Sequence, residues 1–308
     1  MVDLTKFRRD NRRNEYLVSC EQLSSMLTNN RHNLSYFHLT TWTKLCMMMK
    51  RVTVPDDGSE HRMLHLGAAV NMNDEYDKKC GKGIFFTSFS FGPAENISMW
   101  TNYGIPNKEA VRVRFYHRVF HKWYDDSRPG IRAYGVKSDG SLESLSAKPN
   151  LKLVDVAYWS PRIKQGGIVV PDQGIFIHNR NKFRLTDCSN VESFMKEKGQ
   201  YMFKEAGWNY ESEVRLVLEF DEDLADRYQR VAIPFDAPLD NLDDYFNNEV
   251  MYGPWFNPGK PIEDTAAGHR LEEAAKSHYW GIVNMRSVCD DCPEIDSGKC
   301  ICEFKQQR

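Results

Sequence analysis

Two segments of the 308-residue chain carry polar groups at the two-residue spacing of a strand face. In an extended strand, residues i, i+2 and i+4 point to the same side. This rule places Glu211, Glu213 and Arg215 on one face of a strand, and it places His38 with Thr40 on one face of another. Carboxylates, imidazole and guanidinium are groups that bind charged ligands and, for the first two, transfer protons.

A third segment, Ile84–Phe91, alternates in the same way. Phe86, Ser88 and Ser90 share one face, opposite Phe85 and Phe89. Each segment also has a purely structural interpretation. A lone histidine among apolar neighbours is commonly a core residue, and a Glu-x-Glu-x-Arg strand commonly forms cross-strand ion pairs. The residue types alone leave these alternatives open.

Four of the eight cysteines lie in the last twenty residues, at Cys289, Cys292, Cys300 and Cys302. Four thiolates can enclose a structural zinc ion in tetrahedral geometry. The Cys-x-Cys half is tighter than the usual Cys-x-x-Cys pair, so free thiols or a disulfide remain alternatives. No histidine base accompanies these cysteines in sequence, so their role is expected to be structural.

The bulk composition bounds the class of protein. With 41% apolar residues the chain can form a large core, and its net charge of −2 gives no overall attraction to nucleic acid or membranes. A local basic segment, Thr5–Asn14, is the exception. We expect no transmembrane span, no signal peptide and no membrane contact. The scattered thiols favour the reducing cytoplasm as the location.

The apolar periodicity predicts the elements that position these residues. Helices are predicted over Tyr16–Leu27, Thr41–Lys50, Ala94–Tyr103, Val191–Ala206 and Ile262–Tyr279. Strands are predicted over Leu34–Leu39, Ile84–Phe91, Val111–Phe120, Val154–Trp159, Tyr210–Phe220, Arg230–Ile233 and Glu249–Tyr252. This pattern favours an α+β fold with antiparallel strands. We divide the chain into a basic helical segment (1–33), a main domain (34–284) and a Cys-rich tail (285–308).

The order of these segments resembles the ADP-ribosyltransferase superfamily, through a bacterial family known as domain of unknown function 2971. The resemblance rests on the His38, Phe86–Ser90 and Glu211–Glu213 segments and on further motifs. These are Asn73-Asp74-Glu75, Met99-Trp100-Thr101-Asn102-Tyr103, Lys204, Trp208-Asn209-Tyr210-Glu211-Ser212-Glu213-Val214-Arg215 and Gly253-Pro254. The similarity covers about Ser35 to Pro254, although the proline of the family's Asn-Asp-Pro turn is missing. It implies split antiparallel sheets with flanking helices.

The resemblance also implies roles for individual residues around NAD as substrate. Glu213 would stabilise the oxocarbenium-like ribose, and Glu211 would orient or deprotonate the acceptor. His38 and Thr40 would bind the adenosine ribose or the cofactor's backbone. The apolar and polar lining of the NAD site would come from Phe86, Ser88, Ser90, Trp100 and Tyr103. Arg215 would meet the pyrophosphate or, equally, pair with Glu213.

These roles imply a mono-ADP-ribosyltransferase that acts as a bacterial toxin or phage-defence effector. Its acceptor would be a nucleic acid or a protein, and the basic N-terminal segment slightly favours nucleic acid. One specific form is the mRNA-modifying toxin of a toxin–antitoxin–chaperone system, with an antitoxin protein as partner. The alternatives are an NAD glycohydrolase, which uses water as acceptor, and a nucleotide-binding sensor without catalysis.

Overall fold

The computed structural model describes residues 4–28, 35–91, 99, 110–116, 131–163, 169–234 and 250–252. Within these ranges the protein is mixed α+β, with mostly antiparallel strands and few helices, which confirms the expected fold class. The helices are α1 (Cys20–Thr28), α2 (Trp42–Met49), α3 (Glu75–Lys78) and α4 (Val191–Lys198). Single 3-10 turns occupy Leu4–Lys6, Ala69–Asn71, Gln200–Met202 and Leu224–Asp226, and a longer one spans Ala206–Glu211.

The strands form a smaller and a larger sheet. The six-stranded sheet contains β1 (Arg8–Asp10), β2 (Glu15–Val18), β11 (Ala157–Ile163), β12 (Val169–His178), β13 (Asn181–Leu185) and β14 (Phe203–Glu205), in the order β1-β2-β13-β12-β11-β14. The eleven-stranded sheet contains β3 (Ser35–Thr41), β4 (Arg51–Thr53), β5 (Glu60–Ala68), β6 (Ile84–Phe91), β7 (Ala110–Tyr116), β8 (Tyr134–Val136), β9 (Leu142–Ser144), β10 (Asn150–Asp155), β15 (Glu213–Glu219), β16 (Arg230–Pro234) and β17 (Val250–Tyr252).

Strand β6 is the junction of the larger sheet. One of its edges pairs with β15 from Ile84 to Ser90. The other edge is shared, because β3 pairs with Ser90 and Phe91 while β5 pairs with Phe85 and Phe86. Between these two pairings the partner strands diverge, so the sheet splits opposite Ser88. We call this opening the fork.

The two faces of β6 and β15 contribute to different cores, as the alternation of their sequences predicts. Phe85 and Leu216 belong to a core that also contains α2. Phe86 and Val217 belong to a second core, which contains the six-stranded sheet together with α1 and α4. A polar group on the second face of β6 or β15 is therefore surrounded by packed protein unless a cavity reaches it.

Several predicted elements have different bounds in the structure. The helix predicted over Tyr16–Leu27 begins only at Cys20, because Ser19 and Gln22 form reciprocal capping hydrogen bonds of 2.8 and 3.0 Å. Tyr16 instead lies in β2, which pairs with β13. The basic segment assigned to residues 1–33 thus contains a β-hairpin as well as a helix. The helices predicted over Ala94–Tyr103 (except Met99) and Ile262–Tyr279 lie outside the described residues.

The C-terminal half of the domain shows two further corrections. The helix predicted over Val191–Ala206 stops at Lys198, because Gly199 takes a left-handed backbone with φ of 108°. The strand predicted over Tyr210–Phe220 begins only at Glu213. Tyr210 therefore belongs to the preceding 3-10 helix rather than to the sheet.

The second core supplies a direct test of the sheet packing. Phe176 is fully buried and its ring centroid lies 4.7 Å from that of Trp159 and 5.5 Å from that of Phe203. We expect Phe176→Ala to lower the free energy of unfolding by about 3–5 kcal/mol, measured by urea denaturation. The control is Met47→Ala at a side chain that is 51% exposed, with an expected change within about 0.5 kcal/mol. Equal effects of the two substitutions would contradict the packing described here.

Candidate active site

A cavity of about 610 Å³ opens at the fork of the larger sheet. Its walls come from β3, α2, β5, β6, the segment around α3 and the segment that leads into β15. The lining residues with polar or ionisable side chains that are used below are His38, Thr40, Lys44, His65, Asp74, Asp77, Ser88, Ser90, Lys204, Glu211, Glu213 and Arg230. A volume of this size is within the range of about 300–1,000 Å³ that is common for ligand sites.

His38 and Glu213 lie on this one cavity and are bridged by Ser88. His38 is the first residue of β3 beyond its pairing with β6, and its Nδ1 lies 2.9 Å from the Ser88 carbonyl oxygen. The Ser88 hydroxyl donates a hydrogen bond to Glu213 Oε1 across the β6–β15 pair. The two residues that sequence analysis placed in one site are therefore separated by a single serine.

The hydrogen bond fixes the chemical state of His38. A carbonyl oxygen only accepts, so Nδ1 carries the proton and Nε2 is left as an acceptor. The imidazole packs against Phe89, with ring centroids 5.4 Å apart, and burial lowers the pKa of His38. His38 is therefore neutral at pH 7, and Nε2 has no protein partner among the described residues.

The Glu213 carboxylate accepts from four donors. Oε1 accepts from Arg215 Nε at 2.7 Å and from Ser88, and Oε2 accepts from Arg215 Nη2 at 3.1 Å and from Lys204 at 3.3 Å. Burial alone would raise the pKa of Glu213, but Arg215 and Lys204 outweigh it and lower the pKa to about 2. Glu213 is thus a permanently ionised carboxylate at neutral pH.

Arg215 holds this arrangement from a fully buried position. Its guanidinium donates to both carboxylate oxygens of Asp77 at 2.6 and 3.1 Å, to both of Glu213, and to the Tyr201 carbonyl at 2.8 Å. All five N–H donors are used, and Phe86 covers the group at 4.2 Å. Of the two roles open to Arg215, the structure has the pairing with Glu213. No donor is left for a pyrophosphate.

Glu211 reaches the cavity by a route that strand alternation did not predict. It ends the 3-10 helix Ala206–Glu211, and Ser212 follows in a left-handed conformation with φ of 45° before β15 begins. Lys204 Nζ then donates to Glu211 at 2.7 Å as well as to Glu213. Burial alone would lower the pKa of Lys204, but the two carboxylates raise it, so Lys204 remains charged.

Charge is distributed unevenly around the cavity. Four nearly buried carboxylates, Asp74, Asp77, Glu211 and Glu213, line the cavity, and the cations Lys204 and Arg215 hold the last three, so negative charge is in formal excess there. Elsewhere on the wall Lys44 and Arg230 are exposed and make no ion pair with a described residue. The wall thus offers contacts both to a cationic and to an anionic part of a ligand.

His65 lines this wall and carries one unsatisfied polar atom behind it. Its Nδ1 is buried and has no hydrogen-bond partner in the described part of the chain. Burial and the nearby Arg230 lower the pKa of His65 to about 4, so the ring is neutral at pH 7. A buried nitrogen without a partner is rare in folded proteins, and Nδ1 is itself closed to solvent, so only the rest of the ring can face the cavity.

The remaining sequence-derived residues are placed as follows. Thr40 and Ser90 line the cavity, and the Ser90 hydroxyl donates to the Phe37 carbonyl at 3.2 Å. Phe86 reaches the wall but is only 2% exposed, because it packs on Arg215. Outside the described residues lie Trp100, Tyr103, Gly253-Pro254 and the four cysteines Cys289, Cys292, Cys300 and Cys302.

Several members of the site were not predicted from the sequence. Lys204 was noted as part of a motif without a role, and Asp77, His65, Lys44 and Arg230 were not singled out. Asp77 follows the quoted Asn73-Asp74-Glu75 motif, and Asp74 caps α3 by accepting from the Tyr76 N–H at 2.8 Å. An acidic residue close after this motif was the only local signal, since the contact with Arg215 spans 138 positions.

The ion-pair cluster predicts an unequal cost for two arginine substitutions. We expect Arg215→Met to lower the free energy of unfolding by about 3–5 kcal/mol, because it leaves the buried Asp77 without an ion-pair partner among the described residues and removes two of the four donors to Glu213. Arg227→Met, which removes an exposed pair with Glu222, should change it by less than about 1 kcal/mol. Urea denaturation at pH 7 measures both, and a comparably small effect at Arg215 would contradict the role assigned to the cluster.

The described residues contain neither a clustered set of metal ligands nor a membrane-spanning helix. No group of three or more histidine, cysteine, aspartate or glutamate side chains there is arranged to hold a metal ion. Within the same ranges, no helix has the length and apolar character required to cross a membrane. Comparison of the chain with protein-family models, with curated proteins and with solved structures gives no match.

Proposed function

We propose that the protein is a mono-ADP-ribosyltransferase that transfers ADP-ribose from NAD to a macromolecule. The observation that carries this proposal is the His38–Ser88–Glu213 bridge at the fork, inside one cavity of about 610 Å³. The resemblance to the ADP-ribosyltransferase superfamily implies the same three segments. The split of the larger sheet at β6 is in keeping with the split antiparallel sheets of that superfamily.

The charges on the cavity wall suit the two parts of NAD. The nicotinamide ring carries a positive charge, which the excess negative charge around Glu211 and Glu213 stabilises. The pyrophosphate is anionic, and Arg230 with Lys44 supplies cations without competing partners among the described residues. Arg230 and Lys44 thereby take the role that sequence analysis had offered to Arg215.

The reaction needs a carboxylate that stays ionised. When the bond between the nicotinamide nitrogen and ribose C1′ breaks, its electron pair leaves with nicotinamide and C1′ becomes positively charged. The pKa of about 2 keeps Glu213 negative beside that carbon at any physiological pH. Glu211 accepts the proton of the acceptor as the acceptor forms its new bond to C1′. Protons and electrons balance without a further reagent.

Neutral histidine contributes by binding rather than by charge. The free Nε2 of His38 accepts a hydrogen bond from a ribose hydroxyl, and Thr40 lies two residues further along the same wall. Because Nδ1 is held by the Ser88 carbonyl, the ring cannot rotate without losing a hydrogen bond. His38 therefore positions the sugar relative to Glu213 through Ser88.

The acceptor is proposed to be a nucleic acid, with mRNA as a specific case, in preference to a protein. The hairpin of β1 and β2 exposes Arg8, Arg9, Arg12 and Arg13, which form a local basic surface on a chain of net charge −2. A bacterial toxin or phage-defence effector restrained by an antitoxin in the cytoplasm is the biological setting that the resemblance implies.

One observation favours a second candidate, a nucleotide-binding sensor without catalysis. The Glu213 carboxylate already accepts from Ser88, from Lys204 and from Nε and Nη2 of Arg215. A ribose hydroxyl must therefore share the carboxylate with these donors or displace one of them. An NAD glycohydrolase is the third candidate and uses the same residues with water as acceptor. All three bind NAD and differ in its fate.

Incubation with labelled NAD and cell extract separates the candidates. We expect label on RNA or DNA, whereas label on protein would change the acceptor class, free ADP-ribose alone would indicate hydrolysis, and unchanged NAD would indicate a sensor. Glu213→Gln and Glu211→Gln should each lower NAD turnover by about a hundredfold or more. The exposed Glu205→Gln is the matched control. Full turnover and toxicity in Glu213→Gln would refute the assignment, with circular dichroism verifying that each variant is folded.

Arg230 gives a test that concerns binding alone. We expect Arg230→Gln to raise the KM for NAD by about tenfold with little change in kcat, because it removes a cation from the pyrophosphate and leaves the carboxylates intact. Arg227→Gln, at a neighbouring exposed arginine, should leave both constants unchanged. A lower kcat at constant KM would show that Arg230 acts on the reacting carbon instead.

A further inference from the structure

A second cavity, of about 350 Å³, lies beside the backbone of Glu213. Three segments form it: the junction of β10 and β11, the hairpin between β12 and β13, and the residues that lead into β15. Its lining residues are Asp155, Val156, Tyr158, Ile177, His178, Asn179, Arg180, Lys182, Asn209, Tyr210, Ser212, Glu213 and Val214. Apart from Glu213, none of them lines the first cavity.

A buried histidine–aspartate pair forms part of the wall. His178 Nε2 lies 2.9 Å from Asp155 Oδ2, and the two residues are 3% and 6% exposed. A carboxylate can only accept, so Nε2 carries the proton in this pair. No described residue bonds to Nδ1, so this nitrogen can meet a ligand. Burying such a pair costs desolvation energy, which apolar side chains of similar size in a dry core would not cost.

Tyr158 supplies a hydroxyl donor to the same cavity. Its oxygen accepts the Glu213 N–H at 2.8 Å, and burial raises the pKa of Tyr158 well above its ordinary value. The phenol therefore keeps its proton at physiological pH. No acceptor for this proton is found among the described residues.

The hairpin turn that borders the cavity has a strained backbone, and a cation occupies the strained position. Asn179 and Arg180 connect β12 to β13 as a two-residue turn with φ of 47° and 64°. Glycine is strongly preferred at the second position of such a turn, and another residue in this left-handed region costs about 1 kcal/mol. Arg180 occupies it, and the exposed Lys182 follows on the same hairpin. Neither cation has an ion-pair partner in the described part of the chain.

We propose that this second cavity binds an organic phosphate of about the size of a nucleoside monophosphate. Arg180 and Lys182 offer uncompensated positive charge to the phosphate, and Tyr158 offers it a hydroxyl donor. The unprotonated Nδ1 of His178 accepts a hydrogen bond from a hydroxyl of the organic part. The lining carboxylates are already bound, Asp155 by His178 and Glu213 by its own cations. A volume of 350 Å³ suits a small ligand rather than a length of nucleic acid strand.

This site is independent of the NAD chemistry but adjoins it. The Glu213 N–H is held by Tyr158 at 2.8 Å, and the Glu213 carbonyl accepts the Val156 N–H at 3.0 Å. A ligand that hydrogen-bonds to Tyr158 therefore contacts the group that fixes the first residue of β15.

Isothermal titration calorimetry on the full chain tests the proposal with adenosine 5′-monophosphate, inorganic phosphate and adenosine as probes. We expect both phosphates to bind and adenosine not to bind. Lys182→Gln and Arg180→Gly should each raise the Kd by about tenfold. Arg180→Gly also relieves the left-handed strain, so its loss of affinity cannot be a folding defect. Lys196→Gln, at an exposed lysine on α4, is the matched control and should leave the Kd unchanged.

Other outcomes overturn the proposal. Failure of both phosphates to bind would refute it, and so would adenosine binding as tightly as the monophosphate. If Arg230→Gln weakens binding while Lys182→Gln does not, the phosphate occupies the first cavity instead. Each of these results can be obtained whether or not Glu213→Gln affects NAD turnover, so failure of this proposal and failure of the proposed function are distinguishable.

Discussion

The buried guanidinium of Arg215 is the interaction on which the candidate site depends. It binds Asp77 in α3, Glu213 at the start of β15 and the Tyr201 carbonyl after α4, and so joins three separate segments. Full use of its donors makes this buried cation tolerable, and the buried Asp77 forms an ion pair with no other cation among the described residues. The same contacts keep Glu213 ionised, so stability and proposed chemistry rest on one cluster.

Much of the fold follows from short-range pattern. The alternation of Ile84–Phe91 predicted β6 with its correct bounds, and the same rule correctly assigned Ser88 and Phe85 to opposite faces. Helix ends were less accurate, since the apolar spacing after Lys198 continues while Gly199 breaks the backbone. The pairing of two strands with one edge of β6 leaves no local mark in sequence, because it depends on contacts between distant segments.

The site was predictable to the extent that strand faces determine it. Ser88, Glu213 and Arg215 fell on one face, and their contacts follow from the β6–β15 register. Glu211 lines the cavity, but not by the strand alternation that was assumed, because the left-handed Ser212 separates it from β15. The partner Asp77 could not be found from spacing. A buried arginine implies that carboxylates lie near it, but it does not indicate where in the chain they occur.

The position of Arg215 also determines when the candidate site can exist during synthesis of the chain. A ribosome produces Asp77 and both branches of the fork, β3 and β5, long before Arg215. Until then Asp77 lacks its counter-ion, and β6 lacks the strand that pairs with its β15 edge. No N-terminal fragment that ends before Arg215 therefore contains the Glu213 carboxylate with its arginine donors. The protein therefore acquires its candidate catalytic group only after every strand of the fork has been made.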